Sequence, residues 1–413
     1  MDIKIYPSFL KGNITPPPSK SYLHRAIICA SLSEGKSTIK NILIGDDIQQ
    51  TIEAFRSLGV HIEYLNNELI IQSKGAFDFN NDHPINCLES GSTLRFLIPL
   101  LTNELGVRFI GSSSLLSRPL TIYENIFHQQ NITFNRHENH IYTKGNLKPN
   151  HYLISDDTSS QFVSGLLFAL PRLNGESSIE IKDSFESRSY IDMTLYMLES
   201  FGIKIIKKTN NYFIIPGNQS YKSNDINIEA DYSQAAFFIV GALLNGDIQF
   251  HNLNRQSLQP DRQLFDIVNH KSNDGLHIKK TEMLLKDINL SQIIDLGPIL
   301  FLLATQSKNM TKITHFSRLI YKESDRLKNM LDVLTQMNAS YISNDNEIII
   351  GYQPVFSFEQ IGSYNDHRIA MAIAIFATFS TSPTIIRNME VINKSYPTFL
   401  ADLESLGVKI EYY

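Results

Sequence analysis

A lysine, a serine and an arginine stand together where a helix would be better served by acids. Pro16-Pro17-Pro18-Ser19-Lys20-Ser21-Tyr22-Leu23-His24-Arg25 leads into Leu23, Ala26, Ile27 and Ala30 at helical spacing, with Ser19 placed as the N-cap. Free N–H groups give a helix start partial positive charge. Lys20 in the first turn and Arg25 in the second therefore oppose it unless an anion sits among them. Ser21 and Arg25 lie one turn apart and share a face. The chemistry this implies is anion binding.

Other segments bring charge to a helix start in the same way. Lys322-Glu323-Ser324-Asp325-Arg326 opens a helix continued by Leu327, Met330, Leu331 and Leu334, and places Lys322 and Arg326 one turn apart beside Glu323. A solvated, salt-bridged helix start is the plainer alternative. Tyr364-Asn365-Asp366-His367-Arg368 precedes a small apolar helix, where Asp366 reads as a cap and His367 and Arg368 as surface groups. Ser117-Arg118-Pro119 puts an arginine just ahead of another helix, Ser159-Ser160-Gln161 reads as a cap, and Asp295 as a helix cap or a buried base. Glu34-Gly35-Lys36-Ser37-Thr38 imitates a phosphate-binding loop but lacks the first glycine, so it reads as a turn. His137 and His140 have metal-like spacing on a hairpin with no third ligand nearby. No nucleotide, metal or nucleophilic serine is indicated.

These residues need elements to hold them, and the chain supplies those in repeats. A helix end, a small residue and two short alternating runs recur from Gly59, Asn131, Gly202, Gly275, Asn338 and Gly407, a period of about 70 residues. The clearest copies are Gly59-Val60-His61-Ile62 with Leu69-Ile70-Ile71, and Gly202-Ile203-Lys204-Ile205 with Tyr212-Phe213-Ile214-Ile215. The fourth pairs Gly275-Leu276-His277-Ile278 with Met283-Leu284-Leu285. Each unit opens with a helix whose start is small and polar, near Ser19, Ser90, Ser159, Asp231, Leu296-Gly297 and Asn365-Asp366. A unit of helix, strand, helix and hairpin predicts α/β modules packed three to a domain, with a boundary near residue 230 and the termini close together.

The 413 residues carry a net charge of −5, which argues against a nucleic-acid or polybasic membrane surface and makes any positive field local. Cys29 and Cys87 have no CxxC pairing, so a disulfide framework is not expected. The start lacks a signal-peptide apolar region, and Leu296–Thr305, the longest apolar run, is too short to span a bilayer. A soluble protein of a reducing compartment is the expectation.

Taken in order, PPPSKSYLHRA, ESGSTLRF, SRPL, DTSSQFVSGLL, ESRSYIDMTL, EADYSQAAFF, YKESDRL, YNDHRIAMA and NKSYPTF resemble the EPSP synthase (3-phosphoshikimate 1-carboxyvinyltransferase) family from residue 16 to 399. The resemblance implies a two-domain inverse α/β barrel of six βαβαββ repeats, three per domain, with residues 18–230 in one domain and 1–17 plus 231–413 in the other. It implies transfer of the enolpyruvyl group of phosphoenolpyruvate to the 5-hydroxyl of shikimate 3-phosphate, without cofactor or metal. The implied protein is a cytoplasmic monomer with these two small-molecule partners and no nucleic acid or membrane partner. Carried over position by position, Lys20, Ser21, Arg25, Ser159, Ser160, Gln161, Ser187, Tyr190, Asp295 and Lys322 would bind shikimate 3-phosphate. Lys20, Gly91, Arg118, Gln161, Arg326, Arg368 and Lys394 would bind phosphoenolpyruvate. Asp295 would take the proton of the attacking hydroxyl, Glu323 would protonate the methylene carbon, and Lys20 would stabilise developing charge.

Four positions depart from the family's usual residues. Glu89 stands for Asn and Ser92 for Thr, while Arg318 and Phe96 stand where some members have Asn and Pro. The sister transferase acting on UDP-N-acetylglucosamine is the nearest rival. Its catalytic cysteine has no counterpart in Gly111-Ser112-Ser113-Ser114-Leu115-Leu116-Ser117-Arg118-Pro119. A catalytically dead binding protein is the second rival, and the presence of Lys20, Asp295, Glu323 and Arg326 argues against it.

Overall fold

The computed structural model describes residues 1–79, 84–155, 159–182, 188–268 and 276–413. They form an α/β fold in two compact units: Pro18–Glu229, and Met1–Pro17 together with Ala230–Tyr413.

In the unit Pro18–Glu229, helix Lys20–Leu32 is followed by strand Ser33–Lys40, helix Asp46–Ser57 and the hairpin His61–Leu65 with Glu68–Lys74. The order returns in Gly91–Leu100, Val107–Ile110, Thr121–Gln129, Thr133–Arg136 and His140–Lys144. It returns again in Ser160–Ala169, Ser177–Ile181, Ser189–Ser200, Ile206–Lys207 and Tyr212–Ile215. Each sheet is built alike: the strand after the leading helix has a parallel neighbour on one side and the far hairpin strand, antiparallel, on the other. Leading helices are apolar nearly all round, so they must lie inside. In Lys20–Leu32 every residue from Tyr22 onward is buried. The second helices carry one apolar stripe, so Asp46–Ser57 buries Ile48, Ile52 and Phe55 and leaves Glu53 and Arg56 in water.

The unit Met1–Pro17 with Ala230–Tyr413 has Tyr232–Asn245, Gly297–Ala304 and His367–Ala377 as its buried helices. Strand Gly246–Phe250 runs parallel to Leu10–Ile14 and antiparallel to His277–Lys279. Thr311–Thr314 lies between Ile288–Asn289 and the hairpin Tyr341–Ser343 with Glu347–Ile350. Thr384–Arg387 has Gln360–Gly362 on one side and Ile3–Ile5 on the other, and Ile3–Ile5 pairs onward with Ile410–Tyr412. The first residues of the chain thus complete two sheets whose other strands come from its second half.

The small residue that marks the repeat has a backbone reason. Gly59, Asn131, Gly202, Asn338 and Gly407 adopt positive φ of 85°, 58°, 80°, 55° and 92° at the ends of their helices. In each case the next residue's N–H returns to a carbonyl five residues back, as Val60 does to Phe55 at 3.0 Å and Ile203 to Leu198 at 2.9 Å. This is the left-handed closing turn that glycine and asparagine adopt at least cost. Gly275, the sixth marker, lies outside the described residues.

Three local expectations are corrected. Glu34-Gly35-Lys36-Ser37-Thr38 is no turn but part of strand Ser33–Lys40, paired along its length with Glu68–Lys74. Met283-Leu284-Leu285 joins no sheet; instead the Leu285 N–H donates to Ser307 Oγ at 3.0 Å and the Met283 carbonyl accepts from Lys308 N at 3.1 Å. Helix Gly297–Ala304 has no side-chain cap, because the residue before it, Leu296, is apolar.

Candidate active site

In the unit Pro18–Glu229, Lys20 opens its helix behind Ser19, whose Oγ accepts the Tyr22 N–H at 3.5 Å. Lys20 Nζ donates to Asp47 Oδ2 at 2.8 Å. Asp47, in the first turn of Asp46–Ser57, went unnoticed in the sequence because an acid there is ordinary helix chemistry. Arg25 is 3% exposed. Its guanidinium donates to Thr194 Oγ1 at 2.8 Å, to the Ser21 carbonyl at 2.7 Å and to the Tyr190 carbonyl at 3.1 Å, and lies 5.3 Å over the Phe96 ring. Ser21 and Tyr190 therefore meet Arg25 through their backbones. Burial lowers Arg25 to about 10, and among the described residues no carboxylate pairs with it. A buried cation surrounded by neutral oxygens leaves room for an anion as its counter-charge.

Gln161 is held at both ends, accepting from Arg95 Nη1 at 2.8 Å and donating to Ser92 Oγ at 2.9 Å. Ser159 caps Ser160–Ala169 through the Gln161 N–H at 3.4 Å, and Ser160 is buried. Ser187 lies outside the described residues. Arg118 has buried Nε and Nη2 atoms with no hydrogen-bond partner among the described residues. A Cβ on Gly91 would stand 3.0 Å from Arg118 Nη1, so the glycine is what lets this guanidinium lie against the start of Gly91–Leu100. Glu89 is exposed.

In the other unit, Asp295 sits in the 3-10 turn Ile294–Leu296 and collects cations. Its Oδ1 takes Lys322 Nζ at 3.1 Å and Arg326 Nη1 at 3.4 Å, and Arg368 Nη2 is 3.6 Å from Oδ2. The predicted shared face of Lys322 and Arg326 does not exist. The helix begins at Arg326 behind the cap Asp325, and Lys322 precedes it. Asp295, rather than helical spacing, brings them together. Arg326 is fully buried, with Nε and Nη2 on the two Asp366 oxygens at 2.7 and 3.2 Å and Nη2 on Glu323 Oε2 at 2.5 Å. Lys394 Nζ is 4.0 Å from Glu323 Oε1. Asp366 caps its helix as expected, accepting the Arg368 N–H at 2.9 Å, but His367 and Arg368 are buried rather than at the surface. The helix they open is enclosed from its first turn. Arg318 Nη2 donates to the Ser291 carbonyl at 2.7 Å.

Burial works to raise Asp295, but Lys322, Arg368 and Arg326 overcome it and hold this carboxyl well below the usual carboxylate range. Burial lowers Lys322 against the pull of Asp295. Arg326 is lowered by burial but raised further by Asp366, Glu323 and Asp295, so it stays charged. The unit thus presents two carboxylates suited to proton transfer, Asp295 and Glu323, each set among cations that can also take an anion.

The family model for EPSP synthase (3-phosphoshikimate 1-carboxyvinyltransferase) matches residues 6–403. A 3-phosphoshikimate 1-carboxyvinyltransferase of Clostridium novyi (strain NT) is 42% identical over 426 aligned residues, covering 98% of this chain and 97% of that protein. One from Clostridioides difficile (strain 630) is 40% identical over 433 residues, covering 99% and 98%. The EPSP synthase structure from Acinetobacter baumannii superposes with a TM-score of 0.81 at 26% identity over 100% of both chains. The enolpyruvyl transferase NikO from Streptomyces tendae gives 0.78 at 16% identity, covering 100% of this chain and 98% of that one, a likeness of fold alone. On the family match and the length of these identities, the chain belongs to the EPSP synthase (3-phosphoshikimate 1-carboxyvinyltransferase) family.

Proposed function

We propose that the protein joins phosphoenolpyruvate to the 5-hydroxyl of shikimate 3-phosphate, giving 5-enolpyruvylshikimate 3-phosphate and inorganic phosphate. The observation that carries this is the cluster in which Lys322, Arg326 and Arg368 bear on Asp295 while Arg326 and Lys394 bear on Glu323. Proton-transfer carboxylates set among cations fit an addition–elimination between two anions. The finer architecture goes with this reading: six βαβαββ units forming an inverse α/β barrel, three in residues 18–230 and three in 1–17 plus 231–413. The like-built sheets support it. So do the assignments to a monomer and to the cytoplasm, which rest on the family; no described helix is long and apolar enough to cross a membrane.

In this mechanism Lys20, Ser21, Arg25, Ser159, Ser160, Gln161, Ser187, Tyr190, Asp295 and Lys322 hold shikimate 3-phosphate. Lys20, Gly91, Arg118, Gln161, Arg326, Arg368 and Lys394 hold phosphoenolpyruvate. The 5-oxygen attacks C2 of phosphoenolpyruvate as Asp295 accepts the hydroxyl proton and Glu323 delivers one to C3, making a methyl group. Loss of a methyl proton and cleavage of the C2–O bond then release phosphate. A carboxylate held far below its usual pKa is a weak base. The negative charge of bound phosphoenolpyruvate relieves this by occupying the same cations, so Asp295 gains basicity only when the second substrate is present. Likewise Glu323 holds a proton more readily once Arg326 and Lys394 face the substrate.

The test is phosphate release by the purified protein. Release is expected only when both substrates are supplied. Turnover with UDP-N-acetylglucosamine and none with shikimate 3-phosphate would transfer the assignment to the sister activity.

A further inference from the structure

Beside the carboxylates already assigned lies another acid that the mechanism leaves unused. Asp261 stands in the 3-10 turn Pro260–Gln263, packed against the start of Tyr232–Asn245, and is 1% exposed. Ser233 Oγ donates to its Oδ2, while Oδ1 is buried with no hydrogen-bond partner among the described residues. The charged groups that act on it are Asp295 and Arg368, from two other elements, and Asp231, the cap of Tyr232–Asn245. Arg262 on its own turn, Asp266 on the following helix Leu264–Ile267, and Tyr232, whose hydroxyl donates to the Asn254 carbonyl, are the other ionisable groups of the elements packed on it. A wholly buried carboxylate without a full set of donors is a costly charge. It shares Arg368 with Asp295, so the guanidinium serves two acids while also being assigned to phosphoenolpyruvate.

We propose that Asp261 is a proton-linked counter-charge of the anion site: it is ionised while Arg368 is free of substrate and takes up a proton when phosphoenolpyruvate binds. An ionised Asp261 subtracts from the positive field that the substrate needs, and a neutral one restores it. The incoming anion occupies Arg368, which is what holds Asp261 ionised, and adds negative charge nearby. Burial pushes Asp261 up and Asp295 adds to this, while Arg368 and the Ser233 hydroxyl draw it down, leaving it at about 7. The equilibrium therefore stands where neutral pH can move it. Asp261 touches none of the reacting atoms in this scheme; it acts through Arg368 as a positioning residue.

The inference rests on phosphoenolpyruvate being the ligand of Arg368, and its sign is fixed. Above about pH 7 binding must recruit a proton, so the KM for phosphoenolpyruvate gains a factor of about ten per pH unit. Asp261→Asn is permanently neutral and lacks that factor. The measurement is the ratio of wild-type to D261N KM for phosphoenolpyruvate from pH 6.5 to 9, in which the substrate's own titration cancels. A ratio climbing about tenfold per unit above pH 7 supports the proposal; a ratio flat with pH overturns it. Calorimetric titration of phosphoenolpyruvate at pH 8 in buffers of different ionisation enthalpy should show proton uptake that D261N loses. Should D261N fail to fold, Ser233→Ala removes a donor that favours the ionised form, so the rise in KM should begin at higher pH. An unshifted onset then overturns the idea. No phosphate release by the wild type with both substrates would instead sink the functional reading itself.

Discussion

Lys20 is the residue on which the proposed chemistry leans hardest, since it is assigned to both substrates. In the substrate-free protein its ammonium already has an anion, Asp47, at 2.8 Å, so it is held in place before any ligand arrives. Lys20→Met should lower turnover about a thousandfold, the scale of losing one charge contact to a transition state, with shikimate 3-phosphate binding weakened much less. Near-native turnover in that variant would remove Lys20 from the mechanism. One turn along, His24 is buried, its Nδ1 2.8 Å from Thr51 Oγ1, and Thr51 leads through Thr93 to Ser90 by contacts of 2.8 and 2.7 Å. Burial lowers His24 to about 3, with Lys20 and Arg25 adding to the effect against Asp47. The unfolded chain therefore binds a proton below pH 6.5 that the folded chain refuses until about 3, and stability falls as pH drops through that window. The cost is about 2 kcal/mol at pH 5. His24→Gln should flatten this part of the acid-unfolding curve, and an unchanged slope between pH 6.5 and 4 would show that His24 is protonated in the folded state.

At the scale of elements, the closing turn of the second helix in each repeat sets where the hairpin begins. Gly202 has φ of 80°, and a Cβ there would stand 3.0 Å from Lys222 Cδ. Gly202→Ala should cost roughly 1 kcal/mol in urea unfolding, because alanine must take a left-handed backbone while the lysine stem gives way. A neutral result would mean that the turn relaxes. This turn was legible in the sequence, since a small residue between a helical pattern and an alternating one is local information. So was the order of helix, strand, helix and hairpin, which rests on periodicity. Less was legible where partners lie far apart in the chain. Asp366 looked like a cap and is one, but its role in holding Arg326, forty residues earlier, depends on tertiary structure. His367 and Arg368 read as surface groups because their charge outweighs one turn of pattern, yet the enclosed helix carries them inward. Glu34-Gly35-Lys36-Ser37-Thr38 read as a turn because Gly and Ser are common there, while cross-strand pairing keeps it extended. Asp261 gave no signal at all; its significance comes only from burial beside Arg368 and Asp295.

For the whole molecule, the feature of most consequence is the placement of the first strands. Asp2 and Tyr413 exchange backbone hydrogen bonds at 3.3 and 2.8 Å, and Ile3–Ile5 lies between Thr384–Arg387 and Ile410–Tyr412. Deleting residues 1–14 removes Leu10–Ile14 as well, exposing edges of two sheets in one unit. The truncated protein should lose cooperative thermal unfolding of that unit. A circular permutant joining Tyr413 to Met1 and opening the Asn66–Asn67 turn should keep it, because no strand is lost. A truncation as stable as the full chain would show that these strands contribute little. The same placement bears on synthesis. The first strands emerge from the ribosome before any of their partners exist, while Pro18–Glu229 can assemble as soon as it is complete. Ile3–Ile5 must wait, unpaired, for Ile410–Tyr412, almost the last residues to be made, so the nascent chain carries an unsatisfied strand through nearly its whole translation.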